Sequence, residues 1–268
     1  MENKNFIVKH IENLGSNTLY FVSDVGRMGL FLLFTLFGLF KRPFRHSALL
    51  KEIKLIGANS FLVIFFTALF TGMVLGVQGY YTLSKFGSEG LLGSAVALTL
   101  IRELGPVLTA LMVTGRAGSA MCAEIGIMRI SQQIDALECM SIDPYRFLIT
   151  PKFLATMIAV PLLTLMFNVV GIFGGYFTGV ILLDVNPGAF MTGLEQSVLN
   201  KDINLGIIKS LVFALIIVWV CTSRGFQLEK IRFSGFGAES VSRVTTQAVV
   251  LSSISILIWD YLLTAMLL

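Results

Sequence analysis

Two adjacent residues of opposite charge, Arg102 and Glu103, lie inside the apolar run TLIRELGPVL. A charged side chain at the centre of a bilayer costs about 2.5 to 3.5 kcal/mol on insertion scales, so it must pair or face a polar cavity. The sequence leaves both interpretations open: an ion pair or helix-to-helix hydrogen bond that supports the fold, or the lining of a cavity for a charged headgroup. Gly105 and Pro106 follow and weaken the helix, which slightly favours the cavity.

Residue patterns for covalent, metal or nucleotide chemistry are absent from the sequence. The cysteines lack CxxC spacing, and we interpret Cys122, Cys139 and Cys221 as free thiols. No HExxH or GxSxG pattern surrounds the two histidines. No glycine precedes a lysine, so the GxxxxGK[ST] loop is missing and the chain is not expected to hydrolyse ATP alone. We predict a non-catalytic chain without metal ligands or a bound cofactor.

Composition indicates an integral membrane protein. The 268 residues are 55% hydrophobic and 13% charged, and the mean hydropathy is +0.83, outside the range of soluble domains. Lipid-exposed backbone must be paired internally, and no alternating ten-residue barrel pattern occurs, so we predict an all-α membrane protein with one domain over 1–268. Five segments are apolar and long enough to cross: 56–80, 91–113, 153–183, 205–221 and 244–268.

The N-terminal region, 1–45, predicts an element at the membrane surface before the first span. Its apolar run, 28–40, covers 13 residues, which as a helix is about 20 Å and too short to cross the hydrocarbon core. Arg27 precedes this run and Lys41-Arg42-Pro43 follows it. We therefore predict an interfacial or re-entrant helix that lies along the headgroups.

A polar insert, residues 124–144, separates the second and third spans and reads EIGIMRISQQIDALECMSIDP. Apolar residues recur in it at spacings of three and four, which predicts one short amphipathic helix. Asp143 and Pro144 are expected to end that helix, because proline lacks an amide hydrogen and disfavours helical geometry in the preceding residue. The residues of the predicted apolar face are Ile127, Ile130, Ile134 and Leu137.

Basic residues between the spans predict the orientation. The N-terminal 57 residues hold eight, the loop around the insert holds four, and the loop 224–243 holds four. The alternate loops hold Lys85 in one, and Lys201 and Lys209 in the other. Sixteen against three places the N-terminus and the insert in the cytoplasm and the C-terminus outside.

Two further patterns have structural interpretations. Small residues at four-residue spacing favour close helix packing: Gly72 and Gly76 in the first span, and Gly171, Gly175 and Gly179 in the third. Gln78, Tyr80 and Tyr81 end the first span, where aromatic belts are routine, and Asp260 is typical of an interfacial residue near the end of the last span.

The stretch IRELGPVLTALMVTGRAGSAMCAEIGIMRISQQIDALECMSIDPYRFLITPKFLA resembles the signature region of the MlaE/YrbE permease family. The resemblance extends to GRMGLFLL near Gly26, to GMVLGVQGY at 72–80 and to SRVTTQAVVLSS near the C-terminus. One departure concerns the insert: Ser131-Gln132-Gln133 stands where the family usually has TEQ, so an acidic contact is missing there.

The resemblance implies the permease subunit of an ABC transporter that moves phospholipids between the inner and outer membranes and maintains outer-membrane lipid asymmetry. It implies a permease homodimer in the bacterial inner membrane with lipid held at the dimer interface. Implied partners are a cytoplasmic ABC ATPase that carries ATP and Mg, a STAS-domain protein and a periplasmic ring of MCE-domain proteins, without nucleic acid.

By the same resemblance, the insert is a coupling helix that docks on the ATPase. The residues it implies for lipid contact are Leu75, Gln78, Tyr80, Tyr81, Arg102 and Glu103; those for ATPase coupling are Glu124, Arg129, Asp135, Glu138 and Asp143.

Two alternatives to a lipid permease stay open on the residues alone. One is a membrane scaffold whose buried charges only hold helices together. The other is a secondary carrier, which predicts inverted repeats with ionisable pairs in both halves, and only one half shows such a pair.

Overall fold

The computed structural model describes residues 2–39, 46–230 and 237–267. Within those ranges the regular structure is entirely helical, which confirms the predicted all-α membrane class. Six helices of the described ranges are long and apolar enough to cross a membrane: Thr18–Leu39, His46–Ser84, Glu89–Ile130, Tyr145–Leu182, Asn200–Phe226 and Ala238–Leu267.

Kinks and π-turns divide the described chain into eleven α-helical elements. In chain order they are α1 (Glu2–Leu39), α2 (His46–Ile56), α3 (Phe61–Ser84), α4 (Leu92–Thr99), α5 (Gly105–Val113), α6 (Ser119–Ile130), α7 (Gln133–Cys139), α8 (Thr150–Tyr176), α9 (Pro187–Ser197), α10 (Asn200–Phe226) and α11 (Ala238–Leu267). In the same ranges, four π-turns connect or extend them: Leu100–Leu104, Thr114–Gly118, Tyr145–Ile149 and Phe177–Leu182.

The first π-turn, Leu100–Leu104, has a local cause in the sequence. Pro106 has no amide hydrogen, so the carbonyl four residues earlier loses its α-helical partner. The helix widens there, and the Gly105 amide donates to the carbonyl of Leu100, five residues back. Single π-turns inside α-helices are frequent at functional sites, and this one carries Arg102 and Glu103.

Helices α3 and α8 pack through glycine, as the four-residue spacing predicts. A Cβ atom at Gly72 would collide with the carbonyl of Gly171, and one at Gly76 would lie 3.1 Å from the carbonyl oxygen of Gly175. Backbones this close leave no room for side chains at these positions. Helices α3 and α8 are therefore packed backbone against backbone.

Helix α1 is 38 residues long, and its stretch Thr18–Leu39 is long and apolar enough to cross a membrane, so the expectation that this region is too short to cross was wrong. Its interfacial position stays a prediction. Its contacts with the bundle include an ion pair of Asp24 with Arg224 (2.8 Å), a hydrogen bond from Trp219 Nε1 to the Met28 carbonyl (2.8 Å), and the approach of Gly38 to Thr150. Lys41-Arg42-Pro43 lies outside the described residues.

The insert is not one amphipathic helix, and this prediction was wrong. Its first part belongs to α6, which continues the second long helix; the chain then turns at Gln132, whose φ is +56°, and α7 follows. The predicted apolar face is divided accordingly, since Ile134 is buried while Ile127 is 56% exposed. Nor does Pro144 end the helix: α7 ends at Cys139, and Pro144 instead begins the third long helix, where a missing amide hydrogen costs nothing.

Candidate functional site

Arg102 and Glu103 do not pair with each other but with two different residues of α10. Arg102 Nε donates to Asp202 Oδ1 at 2.8 Å, and Lys209 Nζ donates to Glu103 Oε2 at 2.6 Å. Lys209 also donates to Asp260 Oδ1 (2.9 Å) and to Thr264 Oγ1 (2.7 Å), both on α11. We call Arg102, Glu103, Asp202, Lys209, Asp260 and Thr264 the charge cluster.

Helix geometry explains this arrangement. Adjacent residues of a helix point in different directions, so Arg102 and Glu103 reach different partners. Asp202 and Lys209 are seven residues apart, about two turns, and therefore lie on one face of α10. Asp202 is further fixed by the Leu199 amide, which donates to its Oδ2 atom at 3.0 Å.

The members of the charge cluster differ in how far their side chains are buried. Lys209 is completely buried and the Asp202 side chain is 4% exposed, whereas the side chains of Arg102 and Glu103 are 32% and 34% exposed. The cluster therefore leaves one cationic and one anionic group partly accessible, each paired with a buried partner from α10. Such a surface can bind a ligand that carries charges of both signs.

Sequence reasoning missed Lys209, which was counted among the loop residues. The structure corrects this: Lys209 is ten residues into the 27-residue helix α10 and contacts three side chains. Asp260, interpreted as an interfacial residue, is one of its partners. A signal was available, because Lys209 lies inside the predicted span 205–221 and a lysine at that depth requires a carboxylate.

The other residues predicted to contact lipid lie along the last turns of α3. Leu75 and Tyr80 pack against the core, while Gln78 and Tyr81 are exposed. In the described part of a single chain, none of the hydrogen bonds or ion pairs of the charge cluster reaches these residues. The structure of one chain therefore does not bring the two predicted sets of lipid-contacting residues together.

The residues predicted for ATPase coupling differ in what they contact. Glu124 Oε2 accepts from Lys152 Nζ at 2.6 Å, and the same nitrogen donates to Glu52 Oε1 at 2.8 Å. Lys152 is 2% exposed, so this group links α2, α6 and α8 from the inside. Glu124 therefore has an internal structural role in addition to any contact with a partner.

The remaining coupling candidates lie at or near α7. Arg129 pairs with Asp135 at 2.7 Å and with Glu229 at 3.2 Å. Asp143 Oδ1 accepts from the Tyr145 amide and so begins the next helix. Glu138 is exposed, and within the described ranges it has no ion pair.

Comparison with known proteins identifies the family of the chain. The family model for the permease MlaE matches residues 49–266. The chain belongs to the MlaE permease family.

Three relatives aligned over most of this chain support the assignment to this family. This MlaE-family chain is 40% identical over 260 residues, 97% of each chain, to the intermembrane phospholipid transport system permease protein MlaE of Haemophilus influenzae. It is 38% identical over 258 residues, 96% of this chain and 97% of the relative, to a probable ABC transporter permease protein of Rickettsia prowazekii. The chloroplast protein TRIGALACTOSYLDIACYLGLYCEROL 1 of Arabidopsis thaliana is 34% identical over 216 residues, 81% of this chain and 60% of the relative.

Proposed function

We propose that this MlaE-family chain is the permease subunit of an ATP-driven transporter that moves phospholipids between the inner and outer membranes and so maintains outer-membrane lipid asymmetry. The observation that carries the proposal is the charge cluster, in which Arg102 and Glu103 remain about one-third exposed and lie within a helix long enough to cross a membrane. The name of the Haemophilus influenzae relative supports phospholipid as the substrate. The chain is non-catalytic, and a separate ATPase with ATP and Mg supplies the energy.

A second copy of the chain would complete the lipid cavity. Only 11% of the most apolar window of α11 is buried, against 67% for α10, so α11 leaves a large apolar face uncovered. Helix α11 also supplies Asp260 and Thr264 to the charge cluster. Pairing of two copies along α11 and α3 would bring both clusters and residues such as Leu75 and Tyr81 around one space.

The insert is proposed as the surface that contacts the ATPase. Ile127, Ile130 and Met140 are exposed there at 56%, 37% and 62%, and Glu138 lies among them in sequence. Exposed apolar side chains beside a carboxylate are suited to a protein partner. In this proposal the insert and the N-terminus lie in the cytoplasm and the C-terminus lies outside, as the positive-inside count favours. An MCE ring would sit on the outer side, and a STAS-domain protein would accompany the ATPase.

A scaffold without lipid contact is the second candidate, because each charged side chain of the cluster already has a protein partner. The two functions differ in whether lipid enters the bundle. A photoreactive amino acid at Leu75, in the assembled complex with a labelled phospholipid, tests this directly. A permease should label at Leu75 to an extent that changes with ATP.

The matched control for that experiment is Val169, which is 69% exposed on α8. A photoreactive residue there meets bilayer lipid under either function, and its labelling should not respond to ATP. Labelling at Val169 without labelling at Leu75 would support the scaffold and overturn the permease.

A further inference from the structure

A cavity lined by aromatic and charged residues lies at the insert end of the bundle, apart from the charge cluster. It has a volume of about 180 Å³ and is enclosed by α1, the end of α6, the start of the third long helix and the residues after α10. Its charged walls are Arg27, Arg129 and Glu229. Of its charged residues, only Arg129 was among those predicted for ATPase coupling.

Two groups of ion-paired side chains at this cavity, one around Asp24 and one around Arg129, carry opposite surplus charge. In the first group, the single carboxylate of Asp24 is shared by Arg27 at 3.2 Å and Arg224 at 2.8 Å, which leaves one positive charge in excess. In the second group, the single guanidinium of Arg129 is shared by Asp135 and Glu229, which leaves one negative charge in excess. This count covers the described side chains.

Both groups retain capacity for a ligand. The Arg27 side chain is 28% exposed and pairs with Asp24 through Nη2 at 3.2 Å. The Glu229 carboxylate is 48% exposed and holds Arg129 at 3.2 Å. A phosphate at Arg27 and an ammonium at Glu229 would each satisfy the local excess.

The rest of the cavity is aromatic and opens onto apolar surface. Tyr145 packs within 5.1 to 5.7 Å, between ring centres, of Phe31, Phe34 and Phe226. Leu30 and Phe34, which also line the cavity, are 55% and 53% exposed. They provide apolar surface next to the charged groups, which suits an amphipathic ligand.

We propose that this cavity binds the headgroup of a zwitterionic phospholipid. The phosphate lies at Arg27, the ammonium lies at Glu229 with the aromatic rings beside it, and the acyl chains cover Leu30 and Phe34. This cavity carries charges of both signs. It therefore differs from a basic patch, which binds anionic lipids. The inference does not depend on the chain transporting lipid.

Native mass spectrometry of the purified chain tests the proposal, with phosphatidylethanolamine and phosphatidylglycerol of identical acyl chains as competing probes. We expect the wild-type chain to retain phosphatidylethanolamine by roughly fivefold to tenfold over phosphatidylglycerol, since one charge-assisted contact is at stake. Glu229→Gln removes the partner of the ammonium and should abolish that preference. Arg27→Gln should weaken retention of both lipids.

Matched controls are Glu239→Gln and Arg243→Gln, which alter an exposed ion pair on α11 and should leave the preference unchanged. A photoreactive residue at Leu30 that labels phosphatidylethanolamine in wild type and less in Arg27→Gln would locate the effect at this cavity. Equal retention of both lipids by the wild type, or an unchanged preference in Glu229→Gln, would overturn the proposal. Displacement of the lipid by soluble phosphoethanolamine at equal concentration would overturn it too, by showing a water-soluble occupant.

Discussion

At the scale of single residues, Lys209 is the group on which the candidate site depends. Its ammonium is fully buried and contacts Glu103, Asp260 and Thr264 on two other long helices. Removal of one member of a buried ion pair leaves uncompensated charge, which typically costs about 3 to 5 kcal/mol. The function of Glu103 therefore rests on a residue that no ligand needs to touch.

Lys209→Met is expected to lower the thermal unfolding midpoint of the purified chain strongly, because Glu103 and Asp260 lose their shared cation. Lys201→Met, at an exposed position in the first turn of the same helix, is the control and should change little. Adding Glu103→Gln and Asp260→Asn to Lys209→Met should recover part of the loss, since the uncompensated carboxylates are then gone. Equal unfolding midpoints for Lys209→Met and Lys201→Met would contradict this account.

At the scale of elements, the sequence predicts the helices better than their breaks. Apolar length identified five of the six described helices that are long and apolar enough to cross, and it missed Thr18–Leu39. The pair Arg102–Glu103 stood out because charge is rare within such segments. The partners of that pair could not be identified, because Asp202 lies 100 positions after Arg102 and Lys209 lies 106 positions after Glu103. The turn at Gln132 was equally hidden, because a positive φ at a residue other than glycine leaves no signal in composition.

The α3–α8 contact provides a prediction at the same scale. Gly72→Ala should lower the unfolding midpoint by an amount that corresponds to about 1 to 3 kcal/mol, because the new methyl group meets the Gly171 carbonyl. Gly115→Ala is the control: no heavy atom lies within 4 Å of the added carbon, and alanine favours helix over glycine. Scanning fluorimetry of both variants measures their unfolding midpoints. A midpoint for Gly72→Ala at or above that of Gly115→Ala would show that the backbones of α3 and α8 can separate.

At the scale of the whole molecule, the helices of the bundle differ in how much of their apolar surface other helices cover. Helix α10 is surrounded by other helices, whereas α11 and much of α3 present apolar side chains outward. The charge cluster joins the second long helix to α10 and α11, and its exposed members are Arg102 and Glu103. In the proposed dimer, the uncovered apolar faces of α11 and α3 would be covered by a second copy.

This asymmetry predicts where two copies meet. With Cys139, the exposed native thiol, changed to serine, Tyr261→Cys should give a disulfide-linked dimer in membranes, because Tyr261 is 73% exposed on α11. Val169→Cys, comparably exposed on α8, should remain monomeric on the same non-reducing gel. A dimer band for Val169→Cys alone would move the interface to the other side of the bundle.

The three-sided environment of Lys209 also constrains how the protein is made. During synthesis the helices that carry Glu103 and Lys209 emerge before α11, so Lys209 first has Glu103 as its acidic partner and gains Asp260 when the last helix arrives. A lysine within an apolar helix makes lateral release into lipid unfavourable until such a partner is present. The final helix thus completes the neutralisation of a charge inserted much earlier, and biogenesis is not finished until the C-terminal segment has docked.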